Sequence, residues 1–192
     1  MAKVLHGVRL FVAAVGGGVV AGGVAGFGSR LIMFVIRQMN PSFNGQITHE
    51  SAEVGRWTLA GTLGLVVEGM FLGVTGGLVY LVVRRWMPGR HLVKGLSFGV
   101  FLVVVGGRSV IDANYEYYRY VSTWVSVSLF ASLFLLFGLV LSPLVEWSGR
   151  GVAGPPRSRV VRWVGSVAVG ALVVWSVIGD IRTLDSTFRV FG

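Results

Sequence analysis

Five apolar stretches on the scale of a lipid bilayer alternate with short clusters of charge along this chain. They run from Leu10 to Ile36, Trp57 to Val83, Leu92 to Ile111, Val121 to Val145 and Val164 to Ile178. Crossing a hydrocarbon core about 30 Å thick takes about 20 such residues in a helix, whereas a soluble core helix has no need of them. The first four runs satisfy that length, interrupted only by Arg30 in the first, Glu68 in the second and Lys94 and Arg108 in the third. The fifth is shorter, so its expected span competes with a re-entrant or interfacial segment. The expected fold is therefore an all-α integral membrane protein, with residues 1–192 forming a single transmembrane helical domain of about five helices.

Composition agrees with lipid as the solvent. Hydrophobic residues make up 54% of the chain and charged ones only 13%, against about 45 to 50% and about 25% in soluble domains. Cysteine is absent, which excludes disulfides, thiolate nucleophiles and Cys metal sites. The net charge of +9 would suggest a nucleic-acid surface on a soluble protein. Here its distribution points to membrane topology instead, and no nucleic-acid partner is expected.

Lys3, Arg9, Arg84, Arg85, Arg90, Lys94, Arg150, Arg157, Arg159 and Arg162 fall on one side of the alternating spans, with Glu146 as their single acid. The opposite side carries Arg30, Arg37, Arg56, Arg108, Arg119, Arg182 and Arg189 against six acids. By the positive-inside rule the first side is cytoplasmic, which puts the N-terminus in and the C-terminus out across the cell membrane. Trp57, Trp86, Trp124, Trp147 and Trp163 all stand at expected helix ends, where an indole sits half in headgroup water. Lys3 and Arg9 before an apolar run resemble a signal peptide, but that run far exceeds a signal's apolar region. Ahead of the second span, Thr48 is an expected helix cap, with Glu50 and Glu53 in the first turn.

Glycine supplies 29 residues without a Gly-X-Y period. Gly18, Gly22 and Gly26 repeat every four residues in the first span, and Gly69, Gly73 and Gly77 do so in the second. Gly95 and Gly99 continue the pattern in the third. Such glycine-zipper faces let helix backbones approach closely, either within one chain or between copies. The run Gly16-Gly17-Gly18-Val19-Val20-Ala21 matches a dinucleotide fingerprint only in letters, because no strand precedes it.

Glu68 is the ionisable residue deepest in a span, about 16 Å below Trp57. Charged and unpaired, it would cost at least about 2.5 to 3.5 kcal/mol there. Arg30 and Arg108 are the expected partners, both in the outer half of the bilayer. Asp112 lies one turn beyond Arg108, and Arg56 and Glu53 add charge at the outer mouth. These six residues outline a polar cavity for an ion path or ligand, or else a salt bridge that sets helix register. Tyr115, Tyr117, Tyr118 and Tyr120 form an aromatic mouth or an interfacial belt in the following loop. The hydroxyls of Ser122, Ser126, Ser128 and Ser132 suit helix packing.

Catalytic patterns are missing. His6, His49 and His91 are isolated, and the chain has no Walker loop, nucleophile elbow or zinc-protease motif. No metal or cofactor is expected. The expected function is a non-catalytic membrane subunit or self-associating helical bundle, whose partners are membrane lipids and copies of itself or other membrane subunits. The alternatives are a small transporter or channel built on Glu68, Arg30 and Arg108, and a lipid-binding or lipid-modifying protein.

Overall fold

The computed structural model describes residues 2–39, 41, 57–113, 122–148, 167 and 169–182, and it is all-helical there. Helix α1 spans Ala2–Met39, α2 Leu59–Val83, α3 His91–Ala113 and α4 Thr123–Ser148. A fifth helical segment, α5, covers 169–182. Three stretches, Gly7–Met39, Leu59–Val83 and Trp124–Ser148, are long and apolar enough to cross a bilayer, and His91–Gly107 is a shorter apolar helix. Three helices of that length and apolarity suggest a membrane protein. In hydrocarbon the backbone must satisfy its own hydrogen bonds, which turns even glycine-rich apolar sequence into helix.

The ends of these helices follow local chemistry. Thr58 caps α2: its backbone is extended (φ −121°, ψ 141°), and its hydroxyl accepts a hydrogen bond from the Gly61 N–H at 3.2 Å. The expected cap, Thr48, and the acids Glu50 and Glu53 lie outside the described residues, and no acid occupies the first turn of α2. At the other end the Arg84 N–H closes the last turn on the Tyr80 carbonyl at 2.8 Å. The chain reverses through Gly89 at φ +86°, a left-handed conformation that glycine adopts without penalty. His91 then opens α3 at φ +40°, which is strained for a residue with a Cβ. α1 extends through 38 residues, about 57 Å, which exceeds the hydrocarbon thickness.

Glycine decides how closely the helices approach. α1 packs on α2 and on α4, and α4 packs on α3. A Cβ on Gly18 would collide with the Gly73 carbonyl, one on Gly22 with that of Gly69, and one on Gly26 with that of Leu65. Ala14 meets Gly77 in the same series. Each step of four residues along α1 is thus matched by a step of four backwards along α2, so the pair is antiparallel. On α3, Gly95 and Gly99 stand against the backbone of Gly138 and Leu135 on α4. Gly138 is the member of that second seam that a search for four-residue repeats does not find.

The core lies between these seams. Ala14, Ala21, Tyr80, Val83, Phe98, Phe101, Phe137, Leu141 and Val145 form one buried cluster, and Ile32, Ile36 and Phe130 form a smaller one. The Tyr80 and Phe98 rings meet edge to face at 4.9 Å, which ties α2 to α3. Outside the core, large apolar side chains such as Phe71, Leu72 and Val82 are exposed, as hydrocarbon solvation permits. The antiparallel alternation collects the start of α1, the end of α2, the start of α3 and the end of α4 at one pole. That pole carries most of the described cations.

Candidate functional site

At the cation-rich pole three helices converge on one carboxylate. Glu146, near the end of α4, accepts on its Oε1 from Arg84 Nη1 at 3.4 Å, from Lys94 Nζ at 3.3 Å and from the Tyr80 hydroxyl at 3.0 Å. The three side chains are nearly enclosed, with exposures of 9% for Arg84, 12% for Lys94 and 14% for Glu146. In such surroundings each charge needs its partner, because removing one strands the others in a medium that solvates them poorly. Two cations on one anion leave the cluster with a surplus positive charge.

A hydroxyl relay extends from this carboxylate. Tyr80 Oη lies 2.8 Å from Ser142 Oγ, which in turn lies 2.9 Å from the His91 carbonyl. Tyr80 and Ser142 own one hydroxyl proton each, yet three contacts link Glu146, Tyr80, Ser142 and His91. Two protons therefore serve three positions. Either Ser142 donates to Tyr80 and Tyr80 to Glu146, or Tyr80 donates to Ser142 and Ser142 to His91, or both outer contacts form and the central one lapses. The relay holds the strained His91 backbone against α4, and so fixes the turn that delivers Lys94.

The expected constellation at the opposite pole is placed differently. Glu68 lies on the exposed side of α2, and among the described residues no hydrogen bond or ion pair joins it. The Arg30 guanidinium lies 5.6 Å from the centre of the Trp57 ring and beside Gly61, about two turns from Glu68 along α2. Trp57 also meets Phe27 and Phe34 edge to face. The backbone of Arg108 and Asp112 belongs to α3, but their side chains, together with Arg56, Glu53, Tyr115, Tyr117, Tyr118 and Tyr120, lie outside the described residues. Next to Arg108, Gly107 leaves room for the Asp180 carboxylate of α5, whose Oδ2 would stand 3.1 Å from a Cβ there. Of the serine stripe, Ser132 donates to the Leu129 carbonyl at 2.6 Å, while the Ser126 hydroxyl is buried without a partner.

Sequence reasoning passed over Glu146 as a site, although a signal was present. It is the single acid among ten cations on its side of the spans, and Ser142 precedes it by one helical turn. Tyr80, the one tyrosine outside the loop cluster, carried a similar hint. Comparison with protein families, with curated proteins and with solved structures found no match to this chain.

Proposed function

We propose that this protein is a non-catalytic subunit of the cell membrane that assembles with a second copy through the Glu68 face of α2. The observation that carries the reading is Glu68 itself: an acid near the middle of an apolar helix, on its exposed side, unpaired among the described residues. Lipid offers such a group no hydrogen bond, whereas a neighbouring helix does. Around it, Trp57, Gly64, Glu68, Phe71, Thr75, Leu78 and Val82 are all exposed. From Gly64 onward they recur at alternating steps of four and three. Each pair of steps makes seven residues, the heptad repeat along which two helices wrap with a left-handed twist.

Two copies inserted with the same topology meet about an axis along the membrane normal. Each residue then faces its own equivalent at equal depth, so Glu68 meets the other copy's Glu68 and the pair can hold a proton between them. Gly64 has nothing within 4 Å of where a Cβ would stand, which leaves room for that approach. The positive-inside rule orients the five-helix subunit with its N-terminus and the Glu146 pole in the cytoplasm. On this reading the glycine-zipper seams bind helices within the subunit, and membrane lipids cover the other apolar faces.

Because the chain has no cysteine, Gly64→Cys introduces a lone thiol at the proposed interface. Oxidation in native membranes is expected to yield a disulfide-linked dimer, while Gly16→Cys, at an open position on α1, stays monomeric. Adding Glu68→Leu should abolish the Gly64 crosslink. Equal crosslinking from both sites, or a Gly64 crosslink indifferent to Glu68→Leu, overturns the reading. Ion flux through proteoliposomes that falls on Glu68→Gln would replace it with transport.

A further inference from the structure

The Glu146 cluster holds more hydrogen-bonding capacity than it uses. Arg84 has five N–H donors and Lys94 three, but each makes one side-chain contact, and both contacts fall on the same oxygen. At 3.4 and 3.3 Å these are longer than the roughly 2.7 to 2.9 Å of a well-made charged hydrogen bond. Trp86 Nε1, in the turn that follows Arg84, is buried without any partner. By contrast, Arg84 Nε and Nη2 have no partner among the described residues yet are not sealed from the surface, and 9% of the Arg84 side chain and 12% of the Lys94 side chain stay exposed. Arg85 adds an exposed cation, its guanidinium 5.7 Å from the Trp86 ring centre.

Depth selects the ligand. Arg84 is the residue that ends an apolar 25-residue helix, and Trp86 and Trp147 stand at the same pole, where tryptophan marks the headgroup layer. Phosphodiester oxygens are the acceptors found at that level of a membrane. The surplus positive charge favours a lipid whose headgroup is net negative over a zwitterionic one. We propose that Arg84 and Lys94, with Arg85 and Trp86 at the rim, bind the phosphate of an anionic phospholipid, in competition with Glu146 for the same two cations. The site depends on the membrane reading but not on pairing through Glu68.

Competition gives the proposal a test whose sign a purely structural cluster would not reproduce. The purified protein in neutral detergent is titrated with phosphatidylglycerol or phosphatidylcholine, and retained lipid is read by native mass spectrometry beside the thermal unfolding midpoint. Phosphatidylglycerol should be retained about fivefold over phosphatidylcholine, and Arg85→Gln should reduce that preference. Glu146→Gln frees both cations, so it should raise phosphatidylglycerol retention while lowering the midpoint measured without lipid. Arg84→Gln with Lys94→Gln should abolish the preference. Equal retention of the two lipids, or retention that Glu146→Gln leaves unchanged or lowers, overturns the proposal. Stabilisation by inorganic phosphate equal to that by phosphatidylglycerol assigns the site to a free anion and overturns the lipid.

Discussion

Two carboxylates in this chain meet opposite fates within apolar helices. Glu146 sits where α2, α3 and α4 close together, held by two cations and a tyrosine hydroxyl, and Glu68 sits on the outside of α2 with no described partner. Glu68 interrupts the second apolar run and Glu146 directly follows the last residue of the fourth, in helices that hydropathy alone would treat alike. The difference arises from rotation: α2 turns its glycine face to α1 and its Tyr80 edge to α3 and α4, which leaves Glu68 pointing away. The environment of each acid therefore reports on helix packing more than on the acid's own neighbours in sequence.

The sharpest way to break this contrast is to remove the buried acid. Glu146→Ala strands Arg84 and Lys94, and unfolding in detergent should show a loss of about 3 to 5 kcal/mol. Next comes the seam that sets the rotation of α2. Gly73→Val places a branched side chain against the Gly18 carbonyl and the Gly22 backbone, a clash of side chain with backbone that should cost about 1 to 3 kcal/mol and lower the unfolding midpoint. Tyr80→Phe keeps the ring against Phe98 but removes one of two contested protons, and Ser142 then serves His91 alone. The expected loss is about 1 to 2 kcal/mol, with α3 still docked by its glycine seam. The smallest effect on the isolated subunit should come from Glu68→Leu. Its unfolding midpoint in detergent should match the wild type within error, while association in membranes is lost. A Glu68→Leu subunit as unstable as Glu146→Ala would erase the distinction between the two acids.

Much of the fold was legible because its signals are local. A run such as Trp57 to Val83 announces a membrane helix by length and apolarity alone, and α2 indeed fills Leu59–Val83. The four-residue repeats named Gly18, Gly22, Gly26, Gly69, Gly73 and Gly77, and the structure places these two rows face to face. Their partners across α3 and α4 were half legible: Gly95 and Gly99 stood out, whereas Gly138, one glycine without a repeat, did not. The cap of α2 was missed because Thr58 lies inside the apolar window, where a hydroxyl reads as one more spanning residue rather than as a terminus.

The candidate site was less legible, since depth along a helix can be counted from the sequence but azimuth cannot. Depth singled out Glu68 and suggested Arg30 for it, yet Arg30 settles on Trp57 near the start of α2. Nothing in the order of residues said that Ser142 would reach a carbonyl fifty-one positions earlier in the chain. The sequence by itself determined that segments such as Leu59–Val83 are long and apolar enough to cross a bilayer and which pole gathers the cations, because length, apolarity and charge belong to each segment separately. Only the tertiary structure decided which acid is enclosed and which is offered outward, because that choice rests on the register in which glycine backbones interlock, a property of helix pairs and of no single helix.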